Sequence, residues 1–265
     1  AQCLVGSEMC IRDRDYASAF NYKIQALFFK LCYWVADSCI IVSQSDLKNI
    51  FKVSSLKKKL SYSEHVINTK LFIADVPKEK IFTSIVWMGD EGNVVRKGVD
   101  KALQIFAELK KIPEFVDYRF VIIGRKGEGE VLVRSIIDKY NLKGSVELKG
   151  EVSEEDKINL LKQSKYYFQL SLYEGFGLAA LEALCANNII IHSGKGGLAN
   201  PIYKEQLLFD IDNDFDSELL KLVNKLACFT PITSYDNLLE YYDIQRRKDD
   251  FEAIIVNGKS NYKLK

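Results

Sequence analysis

The chain has 265 residues, of which 48% are hydrophobic and 28% charged, and its formal net charge is +1. This composition is that of an ordinary globular chain, and the length permits one large or two modest domains with a sizeable core. The near-neutral charge argues against nucleic acid as the main partner. The sequence contains no run of about 18 apolar residues, so no membrane-spanning helix is predicted.

The cysteines and histidines follow no metal-binding or disulfide pattern. There are six cysteines and two histidines, and no pair of cysteines has the two-residue spacing that is typical of zinc sites. Neither a zinc site nor a disulfide framework is therefore predicted, and reduced cysteines are typical of a cytosolic protein.

The first 14 residues differ in character from the rest of the chain. Residues 3–14 resemble the peptide that is produced when a sequencing adapter is translated, and they lack the basic start and long apolar core of a signal peptide. Residues 1–14 are therefore interpreted as non-native, and the natural protein is expected to begin further upstream.

Residues 15–53 predict two helices with a short strand between them. Residues 15–36 have helical spacing of apolar side chains, residues 38–43 form a short buried strand, and residues 44–53 form a second helix. A further amphipathic helix is predicted near the end of the chain, at residues 234–247, and the polar residues from 257 onwards are expected to fray.

From residue 81 onwards, short apolar runs alternate regularly with segments of helical spacing. The predicted strands are 81–88, 118–123, 145–148, 166–172, 188–192 and 207–210, and the predicted helices are 99–111, 128–140, 153–163, 178–186 and 214–226. This alternation predicts an α/β fold with a doubly wound parallel sheet, whose ligands bind at the carboxyl ends of the strands.

Two cations follow the first strand of this series. Arg96 and Lys97 end a glycine-containing loop and stand just before the helix predicted at residue 99. Such cations can neutralise a diphosphate and stabilise the charge that builds up on a leaving group. The alternative is that both are solvated loop residues.

The most informative stretch is a strand–turn–helix step at residues 166–186. Gly175 and Gly177 let the backbone pass close to a bound group. The N–H groups of the first helical turn carry partial positive charge, so the corner suits an anion such as a diphosphate. Glu174 lies in the turn, where its side chain can reach that group.

Glu182 lies within the helix and shares an apolar stripe with Leu178 and Cys185. A glutamate that faces a core needs a hydrogen-bond partner, and a sugar hydroxyl would supply one. The spacing of Glu174 and Glu182 alone is uninformative, since Glu147 and Glu155 share it without the glycine corner.

The run from Glu174 to Glu182, together with Ala183, resembles the E-G-F-G-x-x-x-x-E-A motif of retaining glycosyltransferases of family 4. These enzymes have the GT-B architecture of two Rossmann-like domains. The resemblance implies transfer of a sugar from a nucleotide diphosphate-sugar, with retention at the anomeric carbon and without a metal ion or other cofactor.

The resemblance also implies roles for individual residues. Glu174 contacts the donor sugar, Glu182 binds the ribose, and the loops at residues 124–127 and 149–152 approach the base. The implied catalytic residues are Glu174, Lys97 and Arg96, and the implied donor-binding residues are Gly175, Phe176, Gly177, Leu178, Glu182, Val152 and Arg125.

The chain departs from the family pattern at two places. Asp90 occupies the position of a common arginine, although the run Arg96-Lys97-Gly98 resembles members that use adjacent Arg and Lys. The glycine-rich turn at residues 193–197 lacks the glutamate that often follows it, which weakens any role assigned there.

The resemblance divides the chain into domains. Residues 15–75 are interpreted as the end of a truncated acceptor-binding domain and residues 76–230 as a complete nucleotide-sugar-binding domain. Residues 231–265 are expected to pack back on the first half.

The expected donor is a UDP- or GDP-sugar, and the expected acceptor is a glycan or a lipid-linked glycan. A cytoplasmic location is expected, with peripheral attachment at the inner face of the membrane left open. Two alternatives remain: a non-catalytic nucleotide-sugar-binding fragment, and a GT-B sugar-nucleotide epimerase, against which the scarcity of histidine argues.

Overall fold

The computed structural model describes residues 31, 34–35, 39–42, 60–73, 76–229 and 240–257. The chain divides into two compact units, one formed by residues 1–66 with 242–265 and the other by residues 67–241. Residues 31 and 34–35 are helical, whereas the rest of the helix predicted at 15–36, the helix predicted at 44–53 and the polar tail from residue 258 lie outside the described residues. Strands and helices are numbered below in chain order among the described elements.

The first unit contains a parallel strand pair. Strand β1 (Cys39–Ile41) pairs with β2 (Leu60–Tyr62), with Ile41 opposite Tyr62. Both of these side chains are buried, as expected for short strands that pack inside an α/β layer.

The second unit is built on a six-stranded parallel sheet in the order β5-β4-β3-β6-β7-β8. Its strands are β3 (Glu79–Ile85), β4 (Arg119–Ile123), β5 (Val146–Gly150), β6 (Ser164–Gln169), β7 (Ile189–His192) and β8 (Leu207–Leu208). The strand order reverses between β3 and β6, and such a switch point opens a crevice outside the carboxyl ends of the two strands. The predicted doubly wound parallel sheet is confirmed.

Helices follow the strands of this unit. They are α1 (Glu91–Arg96), α2 (Val99–Leu109), α3 (Glu130–Lys139), α4 (Glu154–Gln163), α5 (Leu178–Cys185) and α6 (Phe215–Cys228). Both faces of the sheet are covered: Phe82 packs with Phe106 of α2 on one face, and Ile81 packs with Leu160 of α4 on the other. This is why two consecutive residues of β3, Ile81 and Phe82, are both apolar and buried.

Stacked aromatic rings lock β3 to β6. The ring of Phe82 stacks on Tyr166 at 4.6 Å and on Phe168 at 5.1 Å between ring centroids, and all three side chains are buried. Such pairs add about 0.5–1.5 kcal/mol each beyond their area burial. The core therefore holds together the two strands that flank the switch point.

Helix α1 corrects the prediction of a loop before residue 99. Its sequence has no apolar periodicity, but Asp90 caps it by accepting a hydrogen bond from the Asn93 N–H at 2.7 Å. Arg96 is consequently the last residue of α1 and Lys97 its C-cap, rather than members of a loop.

Two further element boundaries differ from the prediction. Strand β6 ends at Gln169 rather than at residue 172, because the Leu172 N–H leaves the sheet and donates to the Arg96 carbonyl at 2.8 Å. Residues 234–239 of the helix predicted at 234–247 lie outside the described residues, and the described part of that prediction is interrupted at residues 242–243. There Asp243 accepts a hydrogen bond from the Gln245 N–H at 2.9 Å, and a separate helix, α7 (Ile244–Asn257), begins.

Helix α7 and Tyr242 just before it belong to the first unit, and buried polar contacts join them to the two residues that follow β2. Ser63 donates to Asp250 at 2.9 Å, and Tyr242 donates to Glu64 at 2.9 Å. Across the described ranges, none of the helices has both the length and the apolar character needed to cross a bilayer.

Candidate active site

Glu174 lies in the turn after β6, at the switch point of the sheet. Three donors converge on its Oε2 atom: Lys97 Nζ at 2.9 Å, Gln169 Nε2 at 3.0 Å and Ser171 Oγ at 3.1 Å. The side chains of Glu174 and Lys97 are 13% and 20% exposed. A carboxylate is thus held beside a cation at the mouth of the crevice.

The turn between α1 and α2 brings Lys97 to this position. Gly98 has a left-handed φ of 68°, and a Cβ at this residue would lie 2.0 Å from the Leu170 carbonyl oxygen. Only glycine fits so close to the end of β6. The structure therefore brings Lys97 and Glu174, two of the predicted site residues, into contact, while the Arg96 guanidinium donates to Asn93 Oδ1 at 2.6 Å.

The glycine corner also forms as expected. Gly177 has a left-handed φ of 88° and is the N-cap of α5, so the first-turn N–H groups of α5 begin right after the Glu174 turn. Phe176 is buried, and Leu178 is exposed because it lies in the first turn of the helix rather than in the core. The predicted apolar stripe therefore does not include Leu178.

The glycine-rich turn at residues 193–197 supports this corner, although the sequence pattern indicated only a weak role. The Gly197 N–H donates to the Glu174 carbonyl at 2.6 Å. A Cβ on Gly196 would lie 2.1 Å from that same carbonyl oxygen, and a Cβ on Gly197 would lie 2.6 Å from the Phe176 Cα. Both glycines are needed for the two turns to pack together.

A chain of side-chain hydrogen bonds runs along β6 to Glu174, and the sequence analysis missed it. Tyr167 donates to Gln169 Oε1 at 3.2 Å, and Gln169 donates to Ser171 Oγ at 2.9 Å as well as to Glu174. Burial, with the charges of Glu182 and Glu174, raises the pKa of Tyr167 far above its ordinary value. Polar residues at every second position of an otherwise apolar strand were the available signal.

Glu182 has a protein partner that the sequence did not reveal. Lys157 of α4 places its Nζ 3.0 Å from Oε1 and 2.9 Å from Oε2 of Glu182, and it also lies 2.7 Å from Glu154. Burial raises the pKa of Glu182 above its ordinary value, and the hydrogen bond from Lys157 opposes that rise. The expected sugar hydroxyl is thus not the only partner available to this carboxylate.

Arg125 and Val152 lie in the loops after β4 and β5. Arg125 is exposed, and its carbonyl accepts a hydrogen bond from the Met88 N–H at 2.9 Å, so its loop runs beside the end of β3. Val152 is partly buried against the apolar cluster that contains Ile81 and Leu160. The roles predicted for these two residues near a nucleotide base stay predictions.

Comparisons with known proteins extend these observations. The family model described as "Glycosyl transferases group 1" matches residues 92–227. The chain is 32% identical over 163 residues to a GDP-mannose:cellobiosyl-diphosphopolyprenol alpha-mannosyltransferase of Xanthomonas oryzae pv. oryzae, covering 54% of this chain and 40% of that protein. It is 27% identical over 129 residues to the GPI3 subunit of the Saccharomyces cerevisiae phosphatidylinositol N-acetylglucosaminyltransferase, covering 49% of this chain and 28% of that protein. The matches therefore span less than half the length of either relative.

Several solved structures share the fold. Sucrose-phosphate synthase from Thermosynechococcus elongatus has a TM-score of 0.70 at 20% identity, with 96% of this chain and 65% of that chain covered. Anabaena Alr3699/HepE, solved with UDP and glucose, has a TM-score of 0.67 at 13% identity, with 90% and 67% covered. At these identities the likeness shows the fold alone, and it confirms the predicted GT-B type.

Proposed function

The chain belongs to the glycosyl transferases group 1 family, and from this premise we propose that it takes part in transferring a sugar from a nucleotide diphosphate-sugar to an acceptor, with retention of configuration. The observation that carries the proposal is the contact between Lys97 and Glu174 at the switch point of the sheet. It joins a cation for the leaving diphosphate to a carboxylate for the sugar in one crevice.

The leaving group has a defined place in this proposal. The diphosphate lies against Lys97, Arg96 and the first-turn N–H groups of α5, which together supply positive charge where negative charge develops. Because these groups supply the charge neutralisation, the proposed reaction requires no metal ion or other cofactor.

Glu174 is assigned to the hydroxyl groups of the transferred sugar rather than to covalent catalysis. Its Oε2 already accepts three hydrogen bonds, which lowers the nucleophilicity of the carboxylate and fixes its orientation. We therefore propose that the acceptor attacks on the face from which the diphosphate departs, with the leaving phosphate assisting.

The remaining roles follow from position. Glu182 is proposed to bind the ribose, and the loops that carry Arg125 and Val152 are proposed to approach the base. Residues 76–230 are proposed to form the nucleotide-sugar-binding domain, and residues 15–75 with 231–265 to belong to the acceptor-binding half.

The relatives favour a lipid-linked acceptor. The Xanthomonas relative is named for GDP-mannose and a diphosphopolyprenol-linked sugar, and the yeast relative for phosphatidylinositol. The HepE structure instead contains UDP. We propose a UDP- or GDP-sugar as donor and a glycan or lipid-linked glycan as acceptor.

Calorimetric titration of the chain with UDP, GDP and ADP tests the donor site. We expect one nucleotide to bind and the Glu182→Ala variant to lose that binding, since Glu182 is proposed to hold the ribose. A folded protein that binds none of the three would contradict the proposal. Product analysis with and without acceptor then separates a transferase from an epimerase, and binding without any product would indicate a non-catalytic module.

A further inference from the structure

Lys157 stands out because its contacts join two βα units around the proposed ribose site. Its Nζ lies within 3.0 Å of both carboxylate oxygens of Glu182 and 2.7 Å from Glu154 Oε1. The Lys157 and Glu182 side chains are each 16% exposed, so their contact is shielded from most of the solvent while Glu182 stays reachable.

The backbone on both sides of this contact is fixed. Ser153 caps α4 by accepting a hydrogen bond from the Asp156 N–H at 3.1 Å, which sets the first turn that carries Lys157. Gly177 sets the start of α5, which carries Glu182. The ammonium therefore meets the carboxylate between two anchored helices and contacts both of its oxygens.

We propose that Lys157 is a positioning residue of the donor site, which holds the Glu182 carboxylate in the orientation that receives the two vicinal hydroxyls of a ribose. This inference rests on the proposed function. Lys157 occupies one side of both Glu182 oxygens, and each oxygen keeps acceptor capacity for one hydroxyl on its other side.

Among the charged and titratable groups around Glu182, Lys157 is the cation that favours the ionised form of the Glu182 carboxylate. These groups are Lys157 and Glu154 of α4, Tyr167 of β6 and Cys185 of α5. Burial raises the pKa of Tyr167 and raises that of Cys185 to about 12, so both are neutral near pH 7. Without Lys157, burial and the charge of Glu154 would act unopposed, and Glu182 would take up a proton at a higher pH.

The test compares Lys157→Met with Lys157→Arg in the whole chain. Each protein is titrated with GDP-mannose and UDP-glucose between about pH 5.5 and about pH 8, a range in which a diphosphate diester keeps its charge. We expect Lys157→Met to lose about 10-fold in affinity at the acidic end relative to wild type, and to keep a smaller loss at the alkaline end, where Glu182 is ionised but no longer oriented by the ammonium. Lys157→Arg, which keeps the cation, should stay within about 3-fold of wild type throughout.

A second pair of variants isolates the cause. Lys157→Gln keeps an N–H donor to Glu182 without the charge, so it should show the same pH dependence and carries the test if Lys157→Met does not fold. In a protein that already carries Glu182→Gln, adding Lys157→Gln should not change the pH dependence of nucleotide-sugar affinity, because the titrating carboxyl is gone. A Lys157→Gln profile parallel to that of wild type would overturn the inference, although the proposed function would stand. A folded wild type that binds neither nucleotide-sugar would overturn both.

Discussion

The Oε2 atom of Glu174 shows how the site is built at the scale of single residues. Lys97, Gln169 and Ser171 all donate to it, so a largely buried anion is stabilised by one cation and two neutral donors. Ser171 is held in turn, because Ser193 donates to its carbonyl at 2.6 Å. These three contacts restrict the orientation of the carboxylate, which is the property that a positioning group in catalysis requires.

The residue-scale prediction concerns Lys97. Lys97→Ala should lower kcat/KM by about 10²–10³-fold, because in the proposed reaction the charge that develops on the leaving diphosphate would lose its cation. The measurement is steady-state transfer with the donor that the titration identifies. Lys143→Ala is the matched control, since this lysine is 76% exposed and pairs with Asp138 on the surface. Activity of Lys97→Ala within a few-fold of wild type would argue against the assigned role.

At the scale of elements, the turn between α1 and α2 packs against the segment that follows β6. Gly98 lies against the Leu170 carbonyl, and the Leu172 N–H bonds to the Arg96 carbonyl at 2.8 Å. Helix α1 leads into this turn, and apolar periodicity could not predict the helix because its core contact is confined to Val94. The helices α2 to α6 each bury two or more apolar side chains, and they were predicted to within a few residues.

The element-scale prediction is that Gly98→Ala both destabilises the fold and weakens the donor site. The new Cβ would lie 2.0 Å from the Leu170 oxygen, at a residue with φ of 68°. We expect a loss of about 2–4 kcal/mol in the free energy of unfolding, measured with urea, together with weaker nucleotide binding because Lys97 is displaced.

Gly144→Ala separates steric conflict from backbone strain in this experiment. Gly144 also has a left-handed φ, of 83°, but nothing lies within 4 Å of its Cβ position. The Gly144→Ala substitution should therefore lower the free energy of unfolding by only about 1 kcal/mol and leave nucleotide binding unchanged. Equal losses in the two variants would show that the packing of Gly98 against β6 is unimportant.

At the scale of the whole unit, the strand order decides which loops meet. Because β3 and β6 are neighbours at the point of reversal, the segments that follow them flank one crevice. The sheet also buries a titratable side chain beside the Glu174 corner, opposite Gln169 in the register of β6 and β7. His192 at the end of β7 is 5% exposed, and its pKa is lowered to about 4, mainly by burial.

His192 predicts a pH-dependent stability. Its pKa in the folded state lies below the ordinary value of 6.5, so the unfolded chain binds more protons between about pH 6.5 and about pH 4, and stability is lost as the pH falls through that window. At about pH 5 the loss from this group should be about 2 kcal/mol. Urea unfolding at about pH 8 and about pH 5 measures it, with His192→Gln as the comparison. If both proteins lose the same stability, the burial of a neutral His192 is not the cause.

The sequence by itself determined the alternation of strands and helices, the glycine corner and the candidate residues Arg96, Lys97, Glu174 and Glu182. These features depend on contiguous residues, whose periodicity and turn chemistry are local. The tertiary structure alone decided their partners. Lys97 and Glu174 are 77 residues apart and Lys157 and Glu182 are 25 apart, and each pair meets through strand order and helix packing. Side chains from separate elements pair according to how those elements pack, and no period within one segment encodes that arrangement.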